Sequence, residues 1–277
     1  SLPATRRRKP TLTILRPDAL GRLHRADLAH LLTPRTRVFA VTACANATGE
    51  RPPYEELLAL AREGGALTVL DAAQAAAHEM PPLTALACDF MAFSGHKMHG
   101  PMGIGALAGP RRSLENLTPL RFGGDMVTWV TEQGAEWAGL PARLEGGTPD
   151  VAGAVGMAAA ASYLEGIGRG ALGLHLRALR AHAVAGLSAL DGVRVIAPHA
   201  EHSAIVSFVA DGAHPHDLGT LLDEQGIAVR TGHHCAQPLL EHLGVGPTTR
   251  ASFAIYNTHD DVERLVAGVA RALGVLR

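Results

Sequence analysis

Residues 37–71 read RVFAVTACANATGERPPYEELLALAREGGALTVLD, and this stretch decides the fold class. Its first six residues form an apolar run that is typical of a buried strand. A helix is predicted next over 54–62, and a pair of glycines ends it. A second β-rich run follows at 66–70. A strand, a helix and a second strand in this order predict a βαβ unit in a mostly parallel sheet.

The same alternation continues toward the middle of the chain, where 88–94 and 103–108 are predicted to form two more short strands. Ligand sites of parallel sheets lie at the carboxyl ends of the strands. Three polar residues follow successive strands of the predicted sheet, namely Asn46, Asp71 and Ser94. The sequence therefore predicts a ligand site at the edge where these residues meet.

Composition and charge limit the classes of protein that the chain can represent. It has 277 residues, of which 47% are hydrophobic, and 25 basic residues nearly balance 26 acidic ones. This length suggests about two domains, and the balanced charge gives no reason to expect nucleic acid as a partner. The three cysteines, Cys44, Cys88 and Cys235, argue against a disulfide framework and favour the cytoplasm. No apolar run reaches the roughly 20 residues of a membrane span.

Beyond the predicted sheet the chain changes character twice. A Gly-rich stretch over 111–150 is predicted to be an ordered excursion, and two Ala-rich helices are predicted over 151–165 and 170–190. The remaining chain reads as strand, strand, helix, strand, with the last strand over 227–231, and Thr258 and an acidic N3 residue predict the cap of a final helix. We therefore predict an α/β domain over 1–150, bridging helices over 151–192 and an α+β domain over 193–277.

Asp71, Gln74 and Lys97 form the first group of residues that suggests chemistry. A lysine that forms a Schiff base with pyridoxal phosphate (PLP) needs a carboxylate elsewhere to keep the pyridine nitrogen protonated. Asp71 is the candidate carboxylate, while Ser94 and His96 are candidate donors to a phosphate. Each of these residues also has an ordinary explanation, since aspartate often caps a helix and lysine is usually solvated. Their spacing alone leaves PLP as a hypothesis.

A second group comprises Arg230-Thr-Gly-His-His-Cys235 and Arg250. Basic residues close to a cysteine favour its thiolate, which would make Cys235 a nucleophile. The alternatives are a structural thiol, the nucleophile of a cysteine hydrolase, or a zinc ligand together with His233, His234 or His242. Adjacent ligands match none of the common zinc spacings, so we predict no metal site. Cys44 and Cys88 lie in strand-like runs and are predicted to be inert core thiols.

Several motifs, taken in order, resemble the cysteine desulfurases and selenocysteine lyases of the class V aminotransferase superfamily, and specifically the group II (SufS-type) branch. The resemblance runs from about residue 12 to the C-terminus. The motifs that carry it are Asp71-Ala-Ala-Gln74, the run from Ser94-Gly-His-Lys97 to Gly105, Arg121-Phe-Gly-Gly-Asp-Met126, Glu145-Gly-Gly-Thr-Pro149, Arg230-Thr-Gly-His-His-Cys235-Ala and the run from Arg250 to Thr258.

The resemblance implies an α/β fold of the type I PLP-dependent transferases, with a mainly parallel large-domain sheet and a C-terminal α+β small domain. It implies that Lys97 holds the cofactor and moves the Cα proton of the substrate. Asp71 would pair with the pyridine nitrogen and Gln74 with the phenolate oxygen. The phosphate would be bound by Ser94 and His96, and by Thr148 across the interface of a dimer.

The resemblance also implies the substrate site. Arg250 would clamp the carboxylate of L-cysteine bidentately, with Arg230 nearby, and Asn46 would support both the substrate and the ring oxygen of the cofactor. Cys235 would attack the substrate sulfur, which leaves alanine and a persulfide on the enzyme. A sulfur-acceptor protein would dock near Cys235. A selenocysteine lyase is an alternative that does not need Cys235.

The chain departs from the family pattern in its N-terminal portion. The usual large-domain segment, with its phosphate-gripping Gly-Thr-Thr-type loop and the histidine that stacks on the cofactor, is not found, and Thr42-Ala-Cys-Ala-Asn46 replaces the more usual Thr-His-x-Ser-Asn. A lost helix N-terminus predicts weak phosphate binding. We favour one subunit of a split desulfurase, in which a second chain supplies this portion. The alternatives are a minimal homodimer, a non-catalytic scaffold and a truncated chain.

Overall fold

The protein is represented by a computed structural model that describes residues 10–78 and 88–277. The N-terminal part alternates strands and helices, as the sequence predicts. Its elements are α1 (Arg25–Leu31), β1 (Val38–Thr42), α2 (Tyr54–Glu63), β2 (Leu67–Asp71), β3 (Phe90–Ser94) and β4 (Gly105–Ala108).

These four strands form one mixed sheet in the order β1-β2-β3-β4. β1, β2 and β3 run parallel, whereas β4 returns antiparallel to β3. Helix α2 packs on β1 and β2, and α1 packs on α2. The buried side chains between them include Val41, Tyr54, Leu57, Leu70 and Met91. The prediction of a mainly parallel sheet is confirmed, and its strand ends meet at one edge.

Both outer strands of this sheet have an open edge within the described residues. The carbonyl oxygen of Arg37 accepts a hydrogen bond from the Leu67 backbone N–H on β2 (3.0 Å). Because alternate residues of a parallel strand bond to opposite neighbours, the backbone groups of Val38 and Ala40 are directed away from β2. Val38 on β1 is 57% exposed and Leu107 on β4 is 49% exposed. Such edges are ready to pair with another strand.

The Gly-rich stretch is an ordered excursion, as predicted. It contains α3 (Arg111–Glu115) and a hairpin of β5 (Val127–Val130) with β6 (Ala135–Trp137). The ring of Phe122 stacks on Trp137 with a centroid distance of 5.6 Å. Trp129 on the same hairpin is 66% exposed. The hairpin therefore presents aromatic side chains to solvent.

Two long helices lead to the C-terminal part. They are α4 (Val151–Ile167) and α5 (Arg169–Ser188), and the Asp150 side chain caps α4 by accepting from the Gly153 N–H at 2.8 Å. In the parts of the chain that the structure describes, no single helix is long and apolar enough to cross a membrane. The pair α4 and α5, bent by 83°, satisfies the length and composition criteria only when the two helices are joined.

The C-terminal part is an antiparallel sheet in the order β7-β8-β10-β9, covered by α5 and α6, and α8 packs on both of these helices. Its core includes Leu179, Phe208, Leu222 and Val262. This is the α+β arrangement that the sequence predicts, although the domain boundaries at residues 150 and 192 stay predictions. The elements are β7 (Val193–Ile196), β8 (Ile205–Ala210), α6 (Pro215–Asp223), β9 (Arg230–Gly232), α7 (Gln237–His242), β10 (Thr248–Ser252) and α8 (His259–Leu276).

The strand predicted over 227–231 begins later in the structure than the sequence predicts. The Ile227 N–H donates to the Leu222 carbonyl at 2.9 Å, and the Gly226 N–H donates to Asp223 at 2.8 Å. These bonds close the C-terminal end of α6, so β9 begins only at Arg230. The predicted start of α8 is confirmed, because Thr258 and Asp261 form a reciprocal capping box.

The loop that follows β1 inserts into the C-terminal part. The Ser207 hydroxyl on β8 donates to the Ala47 carbonyl. Gly49 has a φ of +74°, and a Cβ at this position would lie 2.2 Å from Ser203 Oγ. Only glycine fits this conformation and this close approach. The two sheets are therefore joined by backbone that is packed tightly against side chains of the other part.

Arg180 on α5 is buried in the C-terminal part, close enough to the loop after β1 for the charge of Glu50 to act on it. It is 3% exposed and donates to the carbonyls of Ile205 (3.1 Å), Pro198 (3.2 Å) and Ala197 (2.9 Å). Burial lowers the pKa of Arg180, while the charge of Glu50 opposes that shift. A guanidinium that satisfies several buried carbonyls stabilises the fold mainly because removing it leaves those carbonyls without donors.

We expect Arg180→Met to lower the free energy of unfolding by about 3 kcal/mol or more, since it strands buried carbonyls while keeping an apolar side chain of similar length. Urea unfolding followed by circular dichroism measures this change. Arg112→Met is the matched control, because Arg112 is exposed on α3 and its loss should change stability by less than about 0.5 kcal/mol. Equal effects of the two substitutions would contradict the role of Arg180.

Candidate active site

Lys97 lies in a tight turn at the carboxyl end of β3. The turn is a 3₁₀ segment, Gly95–Lys97, closed by bonds from the N–H groups of Met98 and Gly100 to the Gly95 carbonyl, both 2.9 Å. A Cβ on Gly100 would lie 3.0 Å from that same carbonyl oxygen, so the turn needs a glycine there. The Lys97 side chain is exposed. Lysine occurs in the whole sequence only at positions 9 and 97.

Asp71 lies at the same edge of the sheet as Lys97. It is the last residue of β2 and pairs in register with Thr42 of β1 and Ala92 of β3. Its Oδ1 accepts from the Ala73 N–H at 2.9 Å, which leaves the carboxylate exposed at the strand end. Gln74 follows in the next turn and is half-buried. The sheet therefore brings Asp71, Gln74 and the Lys97 turn to one edge, as the sequence predicts.

The candidate phosphate residues differ in their positions. Ser94 is half-buried at the end of β3, and His96 is exposed within the Lys97 turn. Thr148 is exposed on the loop before α4, and this loop is held to the preceding segment by a bond from the Gly147 N–H to the Gly124 carbonyl (3.0 Å). Ser94 and His96 thus share an edge with Lys97, whereas Thr148 belongs to a separate surface loop.

A pair of arginines forms the core of the second half of the site. Arg230 on β9 pairs directly with Arg250 on β10. Burial lowers the pKa of Arg250, and the neighbouring positive charge of Arg230 lowers it further. Like charges opposite each other destabilise a sheet, so this pair is unfavourable unless an anion binds between or beside them. Arg250 Nε is buried without a hydrogen-bond partner among the described residues.

Cys235 lies beside these arginines. Its thiol is exposed, and Arg230 Nη2 is 3.5 Å from the sulfur. Cys44 and Cys88 are buried, as predicted, and burial raises the pKa of Cys44 to about 12. Cys235 is therefore the accessible thiol next to a cation, which is the setting of a reactive cysteine. Within residues 10–78 and 88–277 no group of three His, Cys, Asp or Glu side chains could hold a metal ion.

Asn46 connects the two halves. Its backbone carbonyl accepts from Arg250 Nη1 at 2.9 Å, and its side-chain Nδ2 donates to the carbonyl of His234. Asn46 comes from the loop after β1, which also leads the chain away from the edge that carries Asp71. One residue of the N-terminal part thus contacts both the arginine pair and the cysteine-bearing loop of the C-terminal part.

The sequence names His234 only as an alternative zinc ligand and predicts no other role for it in the site. It is 2% exposed, and its Nε2 is 2.8 Å from the Thr248 hydroxyl. Burial, followed by the charges of Arg250 and Arg230, lowers the pKa of His234 to about 4. Two adjacent histidines precede Cys235, and nothing in their residue type distinguishes the buried one from its half-exposed neighbour His233.

Comparisons with known proteins identify the family. Residues 2–265 match the family model for class V aminotransferases, and the chain belongs to that family. It is 51% identical over 244 residues to the probable cysteine desulfurase 2 of Mycobacterium leprae, a match that covers 87% of this chain and 58% of that protein. A probable cysteine desulfurase of Vibrio cholerae is 42% identical over 256 residues, covering 92% of this chain and 63% of that protein.

Solved structures give the same result. A crystal structure of the cysteine desulfurase CsdA from Escherichia coli superposes with a TM-score of 0.87 at 41% identity, covering 90% of this chain and 62% of that one. A cysteine desulfurase from Thermococcus onnurineus gives 0.90 at 36% identity, with coverages of 95% and 66%. The predicted type I fold and the family resemblance are confirmed. The chain spans 58% and 63% of the length of the two curated relatives above.

Two histidines with lowered pKa values, His78 and His234, predict how stability depends on pH. Burial lowers the pKa of His78 to about 4, as it does for His234, from an ordinary value of 6.5. Because the unfolded chain binds more protons than the folded one between these values, the free energy of unfolding rises with pH through this window and falls on acidification. One pKa unit corresponds to about 1.4 kcal/mol.

We expect His78→Gln to reduce the slope of the unfolding free energy against pH between 4 and 6.5, with the contribution of His234 remaining, whatever the substitution does to absolute stability. Urea titrations at several pH values in this range measure the slope. His30→Gln serves as the control, because His30 is exposed on α1 and its replacement should leave the slope unchanged. A slope that His78→Gln does not alter would rule out a buried, neutral His78.

Proposed function

We propose that the chain is a PLP-dependent cysteine desulfurase that converts L-cysteine to L-alanine and retains the sulfur on Cys235. The observation that supports this most directly is the accessible Cys235 thiol beside Arg230, on the same sheet as Arg250. Asn46 ties this sheet to the part of the chain that carries Asp71 and Lys97. The similar proteins named above, described as cysteine desulfurases, support the same assignment.

The residues at the edge of the first sheet fit PLP. Lys97 would hold the cofactor covalently, Asp71 would pair with its ring nitrogen, and Gln74 would contact the ring oxygen. Ser94 and His96, in and before the Lys97 turn, would donate to its phosphate. Bound PLP would serve as an electron sink that makes bonds next to the amino group of the substrate labile. The exposed Asp71 carboxylate and the accessible Lys97 amine support this fit.

Arg250 would bind the substrate carboxylate. Its Nη1 is engaged by the Asn46 carbonyl, whereas its buried Nε has no partner among the described residues. A carboxylate at this guanidinium would satisfy the buried donor and reduce the repulsion between Arg250 and Arg230. Asn46 would contact the substrate as well, in addition to holding Arg250. This arrangement favours a substrate that carries a carboxylate.

Cys235 would then remove the sulfur. A new S–S bond forms between Cys235 Sγ and the substrate sulfur while the carbon–sulfur bond breaks. The electron pair of the broken bond stays on the substrate carbon, which takes up a proton to become the methyl group of alanine. Lys97 would carry protons to and from the substrate. Because this step needs the thiol, Cys235 beside Arg230 favours a desulfurase over a selenocysteine lyase or a non-catalytic scaffold.

We also propose two contacts with other chains. The exposed aromatic hairpin of β5 and β6 suits the interface of a homodimer, in which Thr148 would reach the phosphate site of the partner subunit. A sulfur-acceptor protein would dock at the exposed Cys235. The three free cysteines support a reducing cytoplasm as the location.

We further propose that a second polypeptide pairs with the open edges of the first sheet and covers them. It would correspond to the portion of the longer relatives that this chain does not span, so that the complete site forms from a split enzyme. The outward backbone groups of β1 and the exposed Val38 and Leu107 support strand pairing at these edges. The exposure of Lys97 and Asp71 supports a site that another segment covers.

We expect PLP and borohydride to label Lys97, and L-cysteine to leave one extra sulfur on Cys235, in the assembled enzyme. Lys97→Arg keeps the charge but cannot form the covalent link, so it should abolish the label and the alanine product. Peptide mass spectrometry and alanine analysis measure these outcomes. Lys9→Arg is the matched control and should retain both. An unlabelled Lys97, or full alanine formation in Lys97→Arg, would refute the assignment.

The split-enzyme proposal is tested by co-expressing the chain with the uncovered portion of the Mycobacterium leprae relative. We expect the two to co-purify and to show at least about tenfold more Lys97 labelling than the single chain, because the cover completes the site. Ala40→Pro should block co-purification, since it removes an N–H that faces the open edge while sparing the bonds to β2. Ala40→Val keeps that N–H and should behave as wild type.

Full labelling and full turnover by the single chain would overturn the split-enzyme proposal. Co-purification of Ala40→Pro to the wild-type level would show that pairing at β1 is not the mode of association. Neither result would affect the assignment of Lys97 and Cys235 to the reaction, which the labelling experiment tests separately.

A further inference from the structure

The backbone around Cys235 has an unusual conformation. His234 has a φ of +54° and Cys235 a φ of +60°, so two consecutive residues with side chains adopt the left-handed region. For L-residues this region is unfavourable because Cβ crowds the backbone; histidine adopts it more often than most residues, and the cysteine that follows has no such preference. Such a conformation persists only where the surrounding structure holds it. The contacts of His234 are the ones that could do so.

His234 is anchored through its side chain and its backbone. The imidazole Nε2 lies 2.8 Å from the hydroxyl of Thr248, and both residues are buried, at 2% and 0% exposure. The carbonyl of His234 accepts from Asn46 Nδ2. The following turn closes with a bond from the Ala236 N–H to the His233 carbonyl at 2.9 Å. The peptide before Cys235 is therefore held from two directions.

The contacts of His234 determine the direction in which the Cys235 side chain points. With His234 directed inward, the next side chain emerges on the solvent side, where Cys235 is exposed and its sulfur lies 3.5 Å from Arg230 Nη2. A relaxed backbone at these two residues would turn the Cys235 side chain elsewhere. His233, which is half-exposed, makes no comparable buried contact within the part of the chain that the structure describes.

We propose that His234 is a positioning residue, which anchors to Thr248 and thereby keeps Cys235 in the left-handed conformation that holds its thiol beside Arg230. The importance of that position for sulfur transfer rests on the proposed function, but the geometric claim does not. The low pKa of His234, caused first by burial, keeps the imidazole neutral near pH 7, so the anchor is not disturbed by ionisation there.

The test measures thiol reactivity in the cofactor-free full chain. Iodoacetamide labels Cys235, and peptide mass spectrometry follows the rate separately from those of the buried Cys44 and Cys88. Arg230→Met should slow the labelling of Cys235 about fivefold, since the reactivity of a thiol depends on the charge beside its sulfur, and Arg230 Nη2 lies 3.5 Å from it. His234→Leu keeps the bulk of the side chain but loses the hydrogen bond, so it should slow the labelling of Cys235 by a similar factor. In the His234→Leu background, Arg230→Met should cause no further slowing.

Matched variants separate the anchor from simple packing. Thr248→Val removes the hydroxyl with little change of shape and should reproduce His234→Leu, and the two together should be no worse than either alone. His234→Gln keeps a polar atom within reach of Thr248 and should restore labelling. His233→Leu should leave the labelling rate unchanged. Circular dichroism confirms that each variant is folded before its rate is used.

An undiminished effect of Arg230→Met in the His234→Leu background would overturn the proposal, because the thiol would then still lie beside Arg230. Equal loss in His234→Gln and His234→Leu would also overturn it, since the hydrogen bond would have no role. If His234→Leu fails to fold, the effect of Arg230→Met is measured in the Thr248→Val background instead, and an undiminished effect there overturns the proposal. All of these rates are measured without PLP or L-cysteine, so they stand even if the chain proves not to be a desulfurase.

Discussion

The insertion of the loop after β1 into the C-terminal part is the interaction on which the rest of the site depends. Asn46 in this loop contacts Arg250 with its backbone and His234 with its side chain. Gly49 makes the insertion possible, because any side chain there would collide with Ser203. The loop directly follows the strand that neighbours Asp71, so it couples the position of one sheet edge to that of the arginine pair. The two sheets thereby contribute to a single candidate site.

The same region concentrates the features that oppose folding. Arg230 and Arg250 lie opposite each other on neighbouring strands, and two residues before the α7 helix have left-handed backbone. Neither feature improves packing, and both cost stability. Proteins retain such arrangements where a ligand or a reaction uses them. The unfavourable elements lie around Cys235, whereas the Thr258 cap of α8 and the core of the first sheet follow ordinary rules of propensity and burial.

Much of the fold could be predicted because local pattern determines it. The βαβ order, the bridging helices and the capping box each arise from residues close in sequence, and the strand ends placed Asp71 and the Lys97 turn at one edge. The start of β9 was wrong because hydrogen bonds that close α6 extend to Ile227, which a β-rich composition does not reveal. The anchoring contact of His234 could not be predicted for a related reason. Its burial depends on contact with Thr248, and the register of β10 that places Thr248 beside it is set by the tertiary structure.

The division of roles between the two parts follows from their architectures. The carboxyl end of the parallel strand β3 offers a tight turn in which Gly100 packs closely, and the proposed cofactor lysine lies in that turn. The antiparallel sheet offers adjacent strands, and this places two guanidiniums side by side where a carboxylate can bind. In the proposed reaction the thiol attacks the molecule whose carboxylate the arginines bind. Cys235 lies beside Arg230 on a short loop between β9 and α7, and Asn46 of the opposite part holds this loop through the His234 carbonyl.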